Sequence, residues 1–197
     1  MAAGSGKRVV LGAALAALIP FCAVHAASTP LNATATFVSN LTLTATNDMQ
    51  FGNISFNGSV GTSTVVLTTN GGITYNGAFS AGGASTIAAG TVAIGGTAGN
   101  MLDVSCDTSG TLAQVSGSGR IDVNTIMVAK ESAAAGGGFA CSGVGTAVLS
   151  FPLTAGTDDE LKLGGTLDGS TQVSFGAGSY TTNTSGGTAI NVDVVYQ

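Results

Sequence analysis

Two cysteines, Cys106 and Cys141, are the residues whose type and spacing most directly indicate chemistry. They lie 35 positions apart, and the third cysteine, Cys22, falls in an apolar run near the start of the sequence. An even pair of cysteines in an exported chain predicts one disulfide, which stabilises a fold by about 3–4 kcal/mol for a loop of this length. A structural zinc site needs four ligands, so we expect a disulfide and neither a metal nor any other cofactor.

Other candidate catalytic groups are few. The single histidine, His25, lies in a segment that we expect to be removed, and its loss excludes a Ser-His-Asp or Cys-His arrangement. One acidic cluster is present, made of Asp158, Asp159 and Glu160, and its spacing is not that of an EF-hand loop. We expect this cluster to form a solvated turn and leave calcium binding open. The sequence therefore predicts a protein that is not an enzyme.

The first 26 residues are typical of a secretory signal. Lys7 and Arg8 supply a positive start, an apolar run extends from Val9 to Val24, and small residues precede a cleavage site after Ala26. The apolar run is too short for a comfortable membrane span. We therefore expect a secreted chain in the periplasm, at the cell surface or outside the cell, and not a membrane-spanning protein. A retained membrane anchor is the alternative.

The charge of the sequence excludes one class of partner. Only 8% of the residues are charged, whereas an average soluble domain has about a quarter. The expected mature chain has three cations (Arg120, Lys130 and Lys162) against ten carboxylates, a formal net charge of −7. Nucleic-acid binding needs clustered Lys and Arg to neutralise phosphates, so we expect no nucleic-acid partner.

Short strands account for the mature sequence. Apolar residues and threonines alternate along residues 41–46, which is typical of a half-buried strand. The run Thr64–Thr69, the pair Asn70-Gly71 and the run Ile73–Tyr75 predict a β-hairpin. Glycine and asparagine interrupt the chain every eight to twelve residues, the spacing of a sandwich or small barrel. We expect one all-β domain over residues 27–197, a single antiparallel β-sandwich that is immunoglobulin-like or pilin-like.

Both ends of the mature chain show apolar alternation suited to pairing with another strand. Residues 27–38 place four apolar side chains on one side: Leu31, Ala33, Ala35 and Phe37. Residues 189–196 alternate in the same way up to the penultimate residue, with Ile190, Val192, Val194 and Tyr196 on one side. Each segment is either a strand of the chain's own fold or an assembly element. As assembly elements, the first would be a donor strand and the second an assembly or chaperone-docking strand.

Three short motifs resemble a family of secreted bacterial β-proteins that is known as a domain of unknown function. They are the Gly-Gly-Thr-Leu of Gly164–Leu167, the stretch Asp48–Gly52, and Tyr180 followed by Val192–Tyr196. The family looks related to fimbrial subunits and spore-coat-U-like proteins. The signal, cysteine pair, threonine- and glycine-rich strands and penultimate tyrosine are also similar to those of chaperone–usher pilins. This resemblance implies assembly by β-strand addition, in which a neighbour's extended segment fills a groove.

Together these features favour an exported structural or adhesive subunit of the cell surface, fimbrial-like and assembling by β-strand addition. Its expected partners are copies of itself, other surface subunits and a periplasmic chaperone. Two alternatives stay open. One is a secreted monomeric binding module with the same fold, and the other is a small outer-membrane β-barrel, which needs aromatic girdles.

Overall fold

The computed structural model describes residues 34–35, 38–58, 61–154, 159–173 and 176–197. Contacts divide the chain into two compact units, Met1–Thr36 and Phe37–Gln197. Of the first unit only Thr34 and Ala35 are described, and both are exposed and outside regular structure. The expected signal and most of the expected donor segment therefore lie outside the described residues.

The described residues form fourteen strands and one short helix. The strands are β1 (Thr42–Asn47), β2 (Ile54–Phe56), β3 (Thr64–Leu67), β4 (Ile73–Asn76), β5 (Phe79–Ala81), β6 (Gly90–Gly95), β7 (Met101–Cys106), β8 (Gly110–Gln114), β9 (Arg120–Lys130), β10 (Phe139–Ala140), β11 (Leu149–Pro152), β12 (Asp159–Val173), β13 (Tyr180–Thr181) and β14 (Val192–Tyr196). A 3₁₀ helix, Glu131–Gly136, follows β9.

The largest sheet has nine strands, and β12 lies at its centre. The main path is β1-β6-β12-β9-β8-β13, with β10 paired to β9, and β3 paired to both β12 and β4. The first part of β12 pairs with β6 and a later part with β3, while β9 runs along its other side. Two smaller sheets, β11-β7-β14 and β2-β5, complete the fold, and their strand pairs are antiparallel like those of the large sheet.

One cluster of buried apolar side chains joins the three sheets. Leu161 and Leu163 of β12 belong to the same cluster as Leu102 and Val104 of β7 and Phe79 of β5. Burial of this apolar surface is the main favourable term in folding. The prediction of an all-β fold, with antiparallel sheets in a sandwich-like arrangement, is confirmed.

The hairpin predicted around Asn70-Gly71 is confirmed. β3 pairs with β4 in antiparallel register, with Val65 opposite Tyr75. Gly71 adopts a φ of +81°, a conformation that costs glycine little. The carboxamide oxygen of Asn70 accepts a hydrogen bond from the N–H of Gly72 at 3.2 Å. Local turn chemistry therefore determines this pair of strands.

The C-terminal strand begins later than predicted, at Val192 instead of Ala189. Thr188 still pairs with Thr111 of β8 in the large sheet, through two hydrogen bonds of 3.0 and 2.8 Å. Val192 pairs instead with Cys106 of β7. The chain passes from one sheet to another between these residues. Ile190, predicted to lie in the strand, therefore precedes it.

The expectation that residues 41–46 form a half-buried strand is wrong for β1. All six residues of β1 are exposed, whereas Leu41, just before it, is half-buried against the core. β1 is the edge strand of the nine-stranded sheet. The alternation is correct, but it only indicates which side chains share a face. It does not indicate whether another layer covers that face.

Candidate functional site

β14 crosses the strands of the large sheet. Just before its start, Ile190 lies against β8, where a Cβ on Gly110 would be 2.7 Å from the Ile190 side chain. At its end the hydroxyl of Tyr196 contacts Thr97, in the loop after β6. Because β12 and β9 lie between β6 and β8 in the sheet order, β14 passes over both of them. The three-stranded sheet therefore lies across the strands of the nine-stranded sheet.

The backbone groups of β14 point alternately to its two sides. The carbonyl of Asn191 and the N–H of Gln197 both bond to the β7 side, each with an N···O distance of 3.0 Å. Alternate residues of an antiparallel pair bond to the neighbour, and the residues between them point away. Val192, Val194 and Tyr196 therefore direct their N–H and C=O groups away from β7. No strand in the described part of the chain pairs with that side of β14.

A groove with a volume of about 1090 Å³ reaches the start of this free edge, at Val192. Its lining includes Val192 at the start of β14, together with Phe51 and the residues of β2. Its floor is the inner face of the nine-stranded sheet, formed by Leu112, Ile121, Val123, Leu163 and Leu167. We call this the cross-sheet groove. A strand lying in it beside β14 would place alternate side chains on this apolar floor.

The other edge of the three-stranded sheet is protected. β11 ends in Pro152, and proline on an edge strand removes a donor and discourages pairing with another chain. β14 contains no proline, and its one charged residue, Asp193, is not among the residues whose backbone points outward. Only β14 therefore offers an unprotected edge within this sheet.

The rim of the cross-sheet groove is polar but carries little charge. Its lining includes the amides of Asn47, Gln50 and Asn183, and a carboxylate, Asp48. Neither Lys nor Arg occurs among the lining residues that the structure describes. The groove is therefore suited to an uncharged or apolar segment and poorly suited to an anion.

The hydroxyl of Tyr196 connects β14 to two distant segments. It accepts a hydrogen bond from the N–H of Thr97 at 2.7 Å and donates one to the carbonyl of Ser39 at 3.3 Å. The hydroxyls of Ser39 and Thr97 also lie 2.9 Å apart. The penultimate tyrosine is thus half-buried and hydrogen-bonded inside the fold. Sequence reasoning missed its two partners, because no local pattern marks a contact between residues so far apart.

The predicted disulfide between Cys106 and Cys141 is present, with a Cα–Cα distance of 5.2 Å. Cys106 ends β7, and the N–H of Cys141 bonds to the carbonyl of Ile126 in β9 at 2.8 Å. The bond therefore joins the three-stranded sheet to the nine-stranded sheet. Both cysteines are buried.

The prediction that the acidic cluster forms a solvated turn is wrong at Asp159. This residue is buried at the start of β12. Asp159 forms an ion pair with Lys130, with 2.7 Å between Oδ1 and Nζ, and accepts the N–H of Thr154 at 2.7 Å. Burial raises the pKa of Asp159, but these hydrogen bonds and the charge of Lys130 outweigh it and hold the pKa below its ordinary value. Lys130 also lies 4.7 Å from the ring centre of Phe151.

The second described carboxylate of the cluster also has a lysine partner. Glu160 lies 3.0 Å from Nζ of Lys162, whereas Asp158 lies outside the described residues. Among the residues that the structure describes, no three metal-ligating side chains come together. Asp159 and Glu160 therefore act as partners of lysines in this fold.

The structure describes part of the two predicted assembly segments. Leu31, Ala33 and Phe37 lie outside the described residues, and Ala35 is exposed. Val192, Val194 and Tyr196 lie in β14, with Val194 buried and the other two half-buried. The alternation of these residues indicated their inward face, but the free edge beside them had no sequence signal of its own.

Comparison with known proteins gives one match. A family model described as a domain of unknown function (DUF4402) matches residues 41–196. Neither the curated proteins nor the solved structures include a match to the chain. Within the described residues, no helix has the length and apolar character needed to cross a membrane.

Proposed function

The chain belongs to the DUF4402 family of domains of unknown function, and we propose that it is an exported subunit of the cell surface that assembles by β-strand addition. Its role is structural or adhesive, fimbrial-like and not catalytic. Its partners are further copies of itself or other surface subunits, delivered by a periplasmic chaperone. The match to the family covers most of the compact unit Phe37–Gln197 but assigns no activity.

The observation that carries the proposal is the free edge of β14 beside the cross-sheet groove. Strand addition needs a row of unpaired backbone groups and an adjacent apolar surface that receives alternate side chains. Val192, Val194 and Tyr196 supply the backbone groups. The floor around Leu163 and Leu167 supplies the apolar surface, and the groove meets β14 at Val192.

The proposed donor is residues 27–38 of a second copy. Twelve extended residues span about 40 Å, which exceeds the length of the five-residue strand β14. The donor places Leu31, Ala33, Ala35 and Phe37 on one side. It contains no charged residue, which fits a groove whose lining includes one carboxylate and no cation.

The second candidate is a secreted monomeric binding module. The polar rim of the groove favours it, since Asn47, Gln50 and Asn183 could bond to the polar groups of an extended peptide or other ligand. In that case the groove receives a foreign molecule, and the exported chain stays monomeric.

Extraction of the cell surface by shear and heat tests the proposed function. Recovery of the chain in high-molecular-weight filaments supports a structural subunit, and recovery as a soluble monomer supports the binding module. A chain without Ala27–Phe37 should fold, stay monomeric and fail to enter filaments. If that deletion instead abolishes folding, as judged by far-UV circular dichroism, these residues are a strand of the chain's own core and donor-strand assembly is refuted.

A further inference from the structure

β1 is an unprotected edge of the nine-stranded sheet. It is the only strand of more than two residues in the described part of the chain whose every residue is exposed. On one side it pairs with β6, and no described strand pairs with the other. Its free side therefore presents unpaired N–H and C=O groups to solvent.

The sequence of β1 contains none of the features that normally prevent edge pairing. Natural edge strands are shortened, or carry lysine or proline. β1 has the sequence Thr-Leu-Thr-Ala-Thr-Asn, with six residues, no charge and no proline. The far edge strand, β13, has only two residues. Thr42 and Thr44 are β-branched and suit a strand in a continuous sheet.

β1 also leaves apolar surface uncovered. Leu43 is 39% exposed, and it shares a face with Leu41, which packs against the core. A strand added beside β1 would continue the large sheet and place its own side chains next to Leu43.

We propose that two copies of this chain associate side by side through β1, as an antiparallel β1–β1 pair that joins their nine-stranded sheets. Residues that are directly opposite each other project to the same face, so the face pattern excludes a one-residue slip, and the register centred on Leu43 pairs the exposed leucines of the two copies. Leu43 of one copy lies opposite Leu43 of the other, and Thr42 lies opposite Thr44. Leucine therefore meets leucine on one face, and threonine meets threonine on the other.

Charge makes this contact suitable for two copies of one acidic chain. Copies with a net charge of −7 repel each other, so a stable contact must avoid opposed carboxylates. The nearest carboxylates across the sheet are Asp159 and Glu160, which lie opposite the β6 partners of Leu43 and Thr44. Each is paired with a lysine of its own copy. The Glu160 residues of the two copies are five strand spacings apart, about 24 Å, which is about three Debye lengths at physiological ionic strength.

Sedimentation of the exported chain, residues 27–197, over a range of concentrations tests the contact. Leu43→Lys and Leu43→Glu should each raise the dissociation constant of the dimer at least about tenfold, because like charges then lie directly opposite each other. An equimolar mixture of the two variants should associate again, because opposite charges then meet. Thr44→Lys, on the other face, should also weaken association. Thr74→Lys, on the edge strand β4, is the matched control and should leave the dissociation constant of the dimer unchanged.

The proposed contact uses the outer edge of β1, whereas strand addition at the cross-sheet groove uses the edge of β14. Asn47 at the end of β1 lines the groove as well, but the two strand edges are different and the two proposals fail separately. Val192→Pro, which removes an outward N–H at the groove, should leave the β1 dimer intact. A wild-type chain that is monomeric throughout the range, a Leu43→Lys chain that dimerises like the wild type, or a mixture that does not associate would each overturn the β1 proposal. Binding of β1 to another protein in preference to a second copy would also overturn the β1 proposal.

Discussion

The hydroxyl of Tyr196 accepts a hydrogen bond from the backbone N–H of Thr97, 99 positions earlier in the sequence, at 2.7 Å. The same hydroxyl donates to the carbonyl of Ser39, which follows the proposed donor segment. One side chain of the last strand thus holds the start of the described fold and the loop after β6. This contact fixes the end of β14, the strand whose free edge forms the proposed acceptor.

Tyr196→Phe should lower the free energy of unfolding by about 1–2 kcal/mol, because the half-buried N–H of Thr97 loses its partner. Tyr75→Phe is the matched control, since the Tyr75 hydroxyl makes no hydrogen bond within the described part of the chain, and its cost should stay below about 0.5 kcal/mol. Urea denaturation measures both. Equal losses in the two variants would show that the Tyr196 hydroxyl is not a specific contact.

Replacing Cys106 and Cys141 together by serine should lower the free energy of unfolding by about 3–4 kcal/mol, because the unfolded chain gains the entropy of an open 35-residue loop. Denaturation of a chain of residues 27–197, with and without a reducing agent, measures this loss. Reduction of the disulfide in the wild type should lower the free energy of unfolding by a similar amount. A loss below about 1 kcal/mol in both cases would contradict the disulfide's role in joining the two sheets.

Gly164→Ala should lower the free energy of unfolding by about 1–3 kcal/mol through overpacking. A Cβ at this position in β12 would lie 2.8 Å from the carbonyl carbon of Thr68 and 2.9 Å from the nitrogen of Thr69. Gly136→Ala is the control, because nothing lies within 4 Å of its Cβ position, and it should change stability by less than about 0.5 kcal/mol. Thermal and urea unfolding compare the two; an unaffected Gly164→Ala chain contradicts the close approach.

The lowered pKa of Asp159 predicts a loss of stability in acid. When folding lowers the pKa of a carboxyl, the ionised carboxyl stabilises the folded chain. This stabilisation is complete at pH values above the ordinary pKa of 3.8, and it is lost as the pH falls through the lowered pKa. Asp159→Asn should therefore be less stable than the wild type at pH 7, and the two should converge towards pH 2. Urea midpoints measured across this range test the claim, and a difference that does not depend on pH would contradict it.

Local patterns were sufficient to predict the parts of the fold that depend on neighbouring residues. The Asn70-Gly71 hairpin follows from turn chemistry, and the disulfide follows from the even number of cysteines in a chain that is expected to be exported. Alternation along Val192–Tyr196 correctly indicated an inward face with Val194 at its centre. Each of these inferences needs only the residue types and their spacing.

The groove could not be predicted, because it depends on which distant strands meet. β14 pairs with β7, about 90 positions earlier in the sequence, and its crossing over β12 follows from that pairing. Alternation also failed at Leu43, since it does not indicate whether another layer covers a face. Asp159 looked like part of a solvated acidic turn, because its partner Lys130 is on another strand.

Binding of a synthetic peptide of residues 27–38 to a chain lacking Ala27–Phe37 tests the central claim most directly. Fluorescence anisotropy of the labelled peptide should show saturable binding to one site per chain, because the free edge of β14 and the groove floor accept one strand. A peptide with proline at Ala33 and Ala35 should not bind, and Val192→Pro in the chain should weaken binding at least about tenfold. Absence of saturable binding, or equal binding by the Val192→Pro chain, would contradict strand addition at β14.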